Sequence, residues 1–239
     1  MNLVVDYGNT AAKVGIFDKQ ALTQKHTFST LQQVEEFLTN VAAKNLLVSS
    51  VNEDGSLISS WAIGIEKKII LNPDLPLPIN NLYATPKTLG VDRIAHACGA
   101  LQLFPGENTL VIDTGTCVTY DFIDEQKNYH GGGIAPGLTM RFKAVHTFTA
   151  RLPLVQAVDT PPLIGNSTET SIQSGIINGM ISEMNGIIEQ YHKKYKDLRV
   201  ILCGGDSRFF ENKMKASIFA SPDLVLIGLN SILLYNVNT

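Results

Sequence analysis

Two short segments of the chain share one arrangement of residues: an apolar run that ends in aspartate, followed by a glycine and a hydroxyl. They are Leu3–Thr10, with Asp6, and Leu110–Cys117, with Asp113. A buried strand holds a carboxylate rigidly at its end, and glycine lets backbone N–H groups approach an anion. Two such hairpins could hold one polyphosphate and its metal ion. Asp-x-Gly is also an ordinary turn pattern. It occurs twice here, each time between two predicted strands, and this repetition favours phosphate binding.

The first of these segments is followed by polar groups that suit a phosphate. Asn9, Thr10 and Lys13 offer an amide, a hydroxyl and an ammonium group close to the turn. Such groups donate hydrogen bonds to phosphate oxygens, and the lysine adds positive charge. In the alternative interpretation, Asn9 and Thr10 are turn residues and Lys13 lies on the surface of a strand.

Oxygen ligands, rather than nitrogen or sulfur, are the metal-binding groups that the sequence favours. The second segment repeats the carboxylate and hydroxyl pair as Asp113 and Thr116. A hard cation such as Mg²⁺ or K⁺ prefers oxygen, so Asp6 and Asp113 are its best partners. The histidines and cysteines have no H-E-x-x-H or C-x-x-C spacing, which disfavours zinc and other transition metals.

A third element, Thr88–Arg93, begins a helix with a regular apolar face. The start of a helix presents unpaired N–H groups to a carboxylate or phosphate, and Arg93 adds a bidentate donor. Asp92 could accept a proton from a substrate hydroxyl, as an aspartate does in phosphoryl transfer. Alternatively, Asp92 only stabilises the helix dipole and Arg93 is solvated. His96, one turn later, is a rival base or a structural histidine.

Two glycine clusters and one threonine are weaker candidates. The segments Gly131–Gly137 and Gly204–Gly205 follow predicted strands. Glycines there allow a flat group such as adenine to lie against the backbone, but they also serve plain turns. Thr168 stands at the predicted start of a long helix, where it is either a cap or a ligand.

Composition indicates a globular protein with no nucleic-acid partner. The chain has 239 residues, 44% of them hydrophobic and 17% charged, with a formal net charge of -3. This length suits two domains, and the charge supplies no basic field for nucleic acid. No signal peptide or membrane-spanning run is recognised. The number of cysteines is odd, and Cys98, Cys117 and Cys203 are therefore expected to be reduced thiols. We therefore expect a cytoplasmic protein without a membrane partner.

The predicted strands and helices follow the order of an α/β protein. Pro105–Gly106 ends a helix between two similar halves, so we expect domains at residues 1–106 and 107–239. The predicted strands are 2–6, 13–17, 25–28, 45–51, 68–71, 109–113, 117–123, 128–134 and 199–203. The first predicted helix starts at Thr30, with Ser29 and Gln32 as a capping box. The other predicted helices are 56–65, 91–104, 138–149, 168–195 and 222–235, and Ser221 caps the last of them.

In their order and spacing, these motifs resemble those of the type III pantothenate kinases. The resemblance covers nearly the whole chain, and Gly90-Val91-Asp92-Arg93, between the two phosphate loops, is its most specific part. It implies two ribonuclease H-like (actin-like) domains with a nucleotide-binding cleft between them. It also implies a homodimer that phosphorylates pantothenate with ATP as the first step of coenzyme A biosynthesis, with Mg²⁺ and a monovalent cation, K⁺ or NH₄⁺.

The resemblance also implies roles for individual residues. Asp92 would be the general base, and the residues around it would bind pantothenate; Asp113 would bind the monovalent cation, and Asp6 would hold Mg²⁺ through water. Cys117 departs from the family pattern, in which we expect alanine. The implied pantothenate contacts are Tyr83, Gly90, Val91, Asp92, Arg93 and Thr168. The implied ATP contacts are Asp6, Tyr7, Gly8, Asn9, Thr10, Ala11, Ala12, Lys13, Thr116, Gly204 and Gly205.

Two other functions share parts of this pattern. A related kinase acting on a sugar or acetate would keep both phosphate loops and change the acceptor loop. A non-catalytic nucleotide-binding regulator would keep the fold, although it would be free to lose Asp92. Pantothenate-dependent release of ADP separates the three.

Overall fold

The computed structural model describes residues 1–8, 11–50 and 54–237. The chain forms two compact units. The first contains residues 1–106, 123–131 and the residues from Asp223 onward, and the second contains 107–122 and 132–222. The domains at 1–106 and 107–239 stay a prediction, because compact units need not coincide with domains.

The first unit is built on a five-stranded sheet with the order β3-β2-β1-β4-β5. Strands β1, β2 and β3 are antiparallel neighbours, while β4 runs parallel to β1 and β5 parallel to β4. The strands β1 and β4 are apolar on both faces, as expected for strands covered on both sides. The strands are β1 (Asn2–Tyr7), β2 (Ala12–Asp18), β3 (Ala21–Phe28), β4 (Asn45–Ser50) and β5 (Lys67–Ile70).

Among the described residues, the α-helices of the first unit are α1 (Leu31–Asn40), α2 (Gly55–Ser60), α3 (Val91–Leu103) and α8 (Leu224–Val237). One face of the sheet and helix α1 form a core that includes Leu3 and Val5 of β1 and Val34 of α1. Helix α8 packs on α3 and also contacts β1 and β4. Asn2 Nδ2 donates to Asn230 Oδ1 of α8 at 3.0 Å, which ties β1 to this helix through a buried hydrogen bond.

Helices α3 and α8 touch through their backbones, and two glycines make this possible. A Cβ at Gly228 would overlap the carbonyl oxygen of Ala95 and lie 2.6 Å from its carbon. A Cβ at Gly99 would lie 2.7 Å from the carbonyl oxygen of Leu224. Protein interiors are too densely packed to absorb such an overlap cheaply. The position of α3, which carries Asp92, therefore depends on glycine at both crossing points.

The second sheet contains the consecutive neighbours β11-β10-β7-β8-β9. Strands β10 and β7 are parallel, so the second Asp-x-Gly turn also follows a buried parallel strand. The two-residue strand β6 pairs with Asn128 and Tyr129 at the start of β9, and all four residues belong to the first unit. The strands are β6 (Asn80–Asn81), β7 (Thr109–Thr114), β8 (Cys117–Ile123), β9 (Asn128–Pro136), β10 (Arg199–Cys203) and β11 (Phe219–Ala220).

The helices of the second unit enclose its core. They are α4 (Leu138–Thr147), α5 (Thr168–Gln173), α6 (Gly179–Lys194) and the short α7 (Ser207–Phe210). A π-helical turn, Ser174–Asn178, joins α5 to α6. The core includes Leu110, Ile112, Phe122, Ile177 and Met184. The described residues include no helix long and apolar enough to cross a membrane.

Several predicted bounds are wrong by one or more residues. The capping box of α1 uses Thr30 and Gln33 in place of Ser29 and Gln32. Helix α2 is shorter than the predicted 56–65, and the predicted helix 168–195 is interrupted by the π-helical turn. Strand β3 begins four residues earlier than predicted, at Ala21.

Candidate active site

The first phosphate-loop candidate follows β1 in the first unit. The carboxylate of Asp6 is half-buried, and Lys13 is its register partner on β2. The turn between the strands is closed by a hydrogen bond from Gly8 N–H to the carbonyl oxygen of Ala11 at 3.2 Å. Tyr7 and Ala11 are half-buried and Ala12 is buried, whereas the predicted ligands Asn9 and Thr10 lie outside the described residues.

A residue that sequence reasoning missed lies beside Asp6. Ser49 of β4 pairs in register with Asp6 and is fully buried. Among the described residues, its Oγ has no hydrogen-bond partner. A buried hydroxyl normally has a partner in protein or ordered water. The only signal in the sequence is a pair of serines at the end of an apolar strand.

The segment that is the candidate for binding the phosphoryl acceptor lies at the start of α3. Gly90 precedes the first helical residue, Val91, and Asp92 Oδ1 accepts a hydrogen bond from Arg93 N–H at 2.8 Å. A Cβ at Gly90 would lie 2.5 Å from that carboxylate oxygen, so glycine leaves room for the carboxylate. Val91 and Asp92 are half-buried and therefore accessible to a ligand.

Arg93 and Tyr83 form one group in the first unit. The Arg93 side chain is buried, with 5% of the residue exposed, and its guanidinium carbon lies 5.6 Å from the centre of the Tyr83 ring. A guanidinium at this distance is attracted by the face of the ring. His96 is also buried, and its Nδ1 has no hydrogen-bond partner among the described residues. The structure thus places the Arg93 guanidinium against the Tyr83 ring, and the binding of pantothenate by Tyr83, Asp92 and Arg93 stays a prediction.

In the second unit, Gly137 packs closely against the turn that follows β7. Gly115 N–H donates to Cys117 O at 3.0 Å, and Gly137 N–H donates to Thr116 O at 3.1 Å. A Cβ at Gly137 would overlap the carbonyl oxygens of Gly115 and Thr116. The Gly131–Gly137 segment therefore supports the turn that carries Thr116.

Asp113 lies beside a second carboxylate, that of Asp206, which sequence reasoning left without a role. Burial raises the pKa of Asp206, and the negative charge of Asp113 raises it further. Gly204 has φ +96°, and a Cβ there would overlap the Asp113 carboxylate. Asp206 N–H donates to Thr114 O at 2.9 Å. The signal was Asp206 itself, which directly follows the two predicted ATP contacts Gly204 and Gly205.

Thr168 is the first residue of α5 and its side chain is exposed. It is not the cap, because Ser167 Oγ accepts from Thr170 N–H at 3.2 Å and Thr170 completes the capping box. The role of Thr168 as a pantothenate contact stays a prediction. Like Asp113, Thr116, Gly204 and Gly205, Thr168 belongs to the second unit.

Comparisons with solved structures identify the fold as an actin-like α/β fold. A candidate Baf family transcriptional activator from Campylobacter jejuni aligns over 99% of this chain and 100% of its own, with a TM-score of 0.64 and 23% identity. An inorganic polyphosphate/ATP-glucomannokinase from Arthrobacter sp. strain KM aligns over 99% and 98%, with a TM-score of 0.51 and 15% identity. Both likenesses concern the fold alone.

Comparisons of sequence identify the family. Residues 2–190 match the family model described as type III pantothenate kinase. A type III pantothenate kinase from Phocaeicola vulgatus is 46% identical over 239 residues, which cover 99% of each chain. The chain belongs to the type III pantothenate kinase family.

Proposed function

We propose that this protein transfers a phosphoryl group from ATP to pantothenate, forming 4'-phosphopantothenate as the first step of coenzyme A biosynthesis. The proposal follows from family membership together with one observation, the helix start that presents Asp92 and Arg93. Family membership does not favour a sugar or acetate kinase, or a non-catalytic regulator. The chemistry asks the protein mainly to position two reactants and to neutralise phosphate oxygens.

Asp92 acts as the general base in this proposal. Its carboxylate is accessible and is oriented by the Arg93 N–H at 2.8 Å, so a second oxygen is left to face a substrate hydroxyl. Arg93 binds the pantothenate carboxylate with its planar donors. Tyr83, Gly90, Val91 and Thr168 complete the pantothenate contacts.

ATP is bound by the two Asp-x-Gly turns. The loop from Asp6 to Lys13 holds the phosphates, with Asp6 binding Mg²⁺ through water, and Thr116, Gly204 and Gly205 contact the nucleotide. The donor set fits Mg²⁺, because an accessible carboxylate stands beside a buried serine hydroxyl on the neighbouring strand. Bound Mg²⁺ would neutralise phosphate charge during transfer.

The residues around Asp113 fit a monovalent cation, K⁺ or NH₄⁺. Burial raises the pKa of Asp206 and the negative charge of Asp113 raises it further, and a cation between the two carboxylates would offset both effects. Asp113 is the proposed ligand. The cation would support ATP binding in the second unit.

The assay that tests the function is coupled ADP release with purified protein, ATP, Mg²⁺ and K⁺, with and without pantothenate. We expect ADP release that requires pantothenate, and phosphopantothenate as the product by mass spectrometry. Phosphorylation of a sugar without phosphorylation of pantothenate would support the related-kinase alternative. Tight ATP binding without any pantothenate-dependent ADP would support the regulator.

Replacing K⁺ by Na⁺ is expected to raise the KM for ATP, because the smaller ion does not fit oxygen ligands spaced for K⁺. The measurement is initial rate against ATP concentration in each chloride salt at constant ionic strength. The variant Asp113→Asn should respond equally to both salts. Equal KM values in the two salts for the wild-type protein would count against the cation site.

We also propose a homodimer whose contact includes one face of α6 and the preceding turn. Gly175, Gly179, Ser182 and Gly186 follow helical spacing, and a Cβ at any of the three glycines meets nothing within 4 Å. Small residues on an open face allow close packing of another helix. The same unit also exposes the large apolar side chains of Phe148, Leu163 and Ile164.

Gly179→Arg is expected to convert the dimer to a monomer, because the new side chain would occupy the space needed by the partner helix. Light scattering after size exclusion measures the mass. Gln32→Arg, which places the same charge on the exposed side of α1, should leave the mass unchanged. A Gly179→Arg protein that stays dimeric would place the contact elsewhere.

The proposed location is the cytoplasm. Among the described residues all three cysteines are free, and two of them, Cys98 and Cys203, are buried. Burial raises the pKa of Cys98, so it is held as a neutral thiol. Unpaired thiols are usual in a reducing compartment.

A further inference from the structure

The ring of Tyr83 rests against Gly131, a glycine that is not among the proposed ATP or pantothenate contacts. A Cβ at Gly131 would lie 2.7 Å from Tyr83 Cδ2 and 2.8 Å from Cε2. Real Cβ atoms do not approach a ring so closely, so any other residue would displace the ring. Tyr83 also contacts Tyr129 at a centroid distance of 6.2 Å, and the Arg93 guanidinium at 5.6 Å. All four residues belong to the first unit.

The backbone at Tyr83 is held in place and cannot easily retreat. Leu82 N–H donates to Tyr129 O at 3.0 Å, and Tyr83 N–H donates to Asn81 Oδ1 at 3.0 Å. Asn80 N–H donates to Lys127 O at 2.9 Å. Tyr83 therefore closely follows a short strand, β6, whose pairing with the start of β9 fixes its position.

The turn between β8 and β9 is itself fastened by one carboxylate. Asp124 accepts hydrogen bonds from the backbone N–H groups of Gln126 and Asn128, both at 2.9 Å, and lies 2.7 Å from His130 Nε2. Although burial alone would raise the pKa of Asp124, these bonds lower it below its usual range. Asn128 Oδ1 in turn accepts from Asn80 Nδ2 at 3.1 Å. These hydrogen bonds thus connect Asp124 to β6, the short strand that precedes Tyr83.

We propose that Gly131, on strand β9 just after the turn held by Asp124, is a positioning residue that sets the place of the Tyr83 ring and so the fit of pantothenate. The inference rests on the proposed function, in which Tyr83 and Arg93 bind pantothenate. Arg93 stacks on the ring, so a displaced ring shifts the guanidinium fork as well. Bidentate recognition of a carboxylate depends closely on such geometry.

Gly131→Ala tests the proposal. Alanine at this position would push the ring away and is expected to raise the KM for pantothenate by about 10- to 100-fold, the scale of an ångström-sized misplacement. The KM for ATP should change by less than about twofold. Coupled ADP release at varied pantothenate and at varied ATP measures both.

Alanine at Gly131 also imposes backbone strain, because φ is +87°. Gly64 supplies a matched control: its φ is +77°, it is exposed in the same unit, and a Cβ there meets nothing within 4 Å. Gly64→Ala should lower the melting temperature through strain and leave both KM values unchanged. A pantothenate KM that rises equally in Gly64→Ala would mean that strain alone is responsible, and would overturn the proposal.

The double variant Gly131→Ala/Tyr83→Ala separates contact with the ring from any other effect. Tyr83→Ala removes the ring, so adding Gly131→Ala should change the KM for pantothenate by less than about twofold. A full effect of Gly131→Ala in both backgrounds would overturn the proposal. If Gly131→Ala alone does not fold, Tyr83→Ala should restore folding, and failure to do so would also overturn it.

The outcomes distinguish the inference from the function on which it rests. Wild-type protein without pantothenate-dependent ADP release would contradict the proposed function. Active wild-type protein together with an unchanged pantothenate KM in Gly131→Ala would contradict only the role of Gly131.

Discussion

Replacing Asp92 with asparagine is expected to lower kcat with pantothenate by about 10²- to 10⁴-fold, the usual contribution of a general base. Asparagine keeps a side-chain oxygen that can accept the Arg93 N–H bond of 2.8 Å, so the start of α3 should persist. What it loses is the ability to take a proton. The KM for ATP should stay near that of the wild-type protein.

The measurement is steady-state kinetics with both substrates, supported by ATP titration of the inactive variant. Asp74→Asn, which neutralises an exposed carboxylate in the same unit, should retain full activity. His96→Asn tests the rival base, because His96 is buried with Nδ1 unpartnered among the described residues. Unchanged turnover in Asp92→Asn, with loss of turnover in His96→Asn, would transfer the role of base to His96.

Gly228→Ala is expected to lower the free energy of unfolding by about 3 kcal/mol or more, at the upper end of the cost of overpacking. The added methyl group would overlap the carbonyl oxygen of Ala95, and a backbone atom cannot move aside as a side chain can. Helices α3 and α8 must separate, and the buried side chains around the crossing lose contacts. Because α3 carries Asp92, activity should fall as well.

Urea denaturation followed by circular dichroism measures the loss, with the midpoint and slope compared with those of the wild-type protein. Ser231→Ala, on a half-buried position of the same helix, should change stability by no more than about 0.5 kcal/mol. A Gly228→Ala protein as stable as that control would show that the helices can repack without cost.

The two strand-and-turn segments that we propose as phosphate loops could be predicted from the sequence because their signal is local. An apolar strand, an aspartate and a glycine stand within a few residues of each other, and β1 and β7 confirm the strands on which both predictions depend. The start of α3 is equally local. Membership in the α/β fold class followed from the order of these elements and is confirmed.

What sequence reasoning missed depends on contacts between distant segments. Helix α8 is apolar on nearly every side, so its pattern does not say which sheet it covers; it packs on α3, β1 and β4. Ser49 and Asp206 become candidate site residues only because strand pairing and turn geometry place them beside Asp6 and Asp113. The π-helical turn before α6 has no Pro or capping signal to mark it.

The buried hydrogen bond between Asn2 and Asn230 joins residues 228 positions apart. During synthesis, the sheet that carries Asp6 therefore stays uncovered by α8 until residues up to that helix have been made. Contacts of such long sequence separation fold slowly and leave apolar surface open in the meantime. We expect nascent chains that stop before α8 to need chaperones, and extensions fused close behind α8 to reduce the yield of folded enzyme.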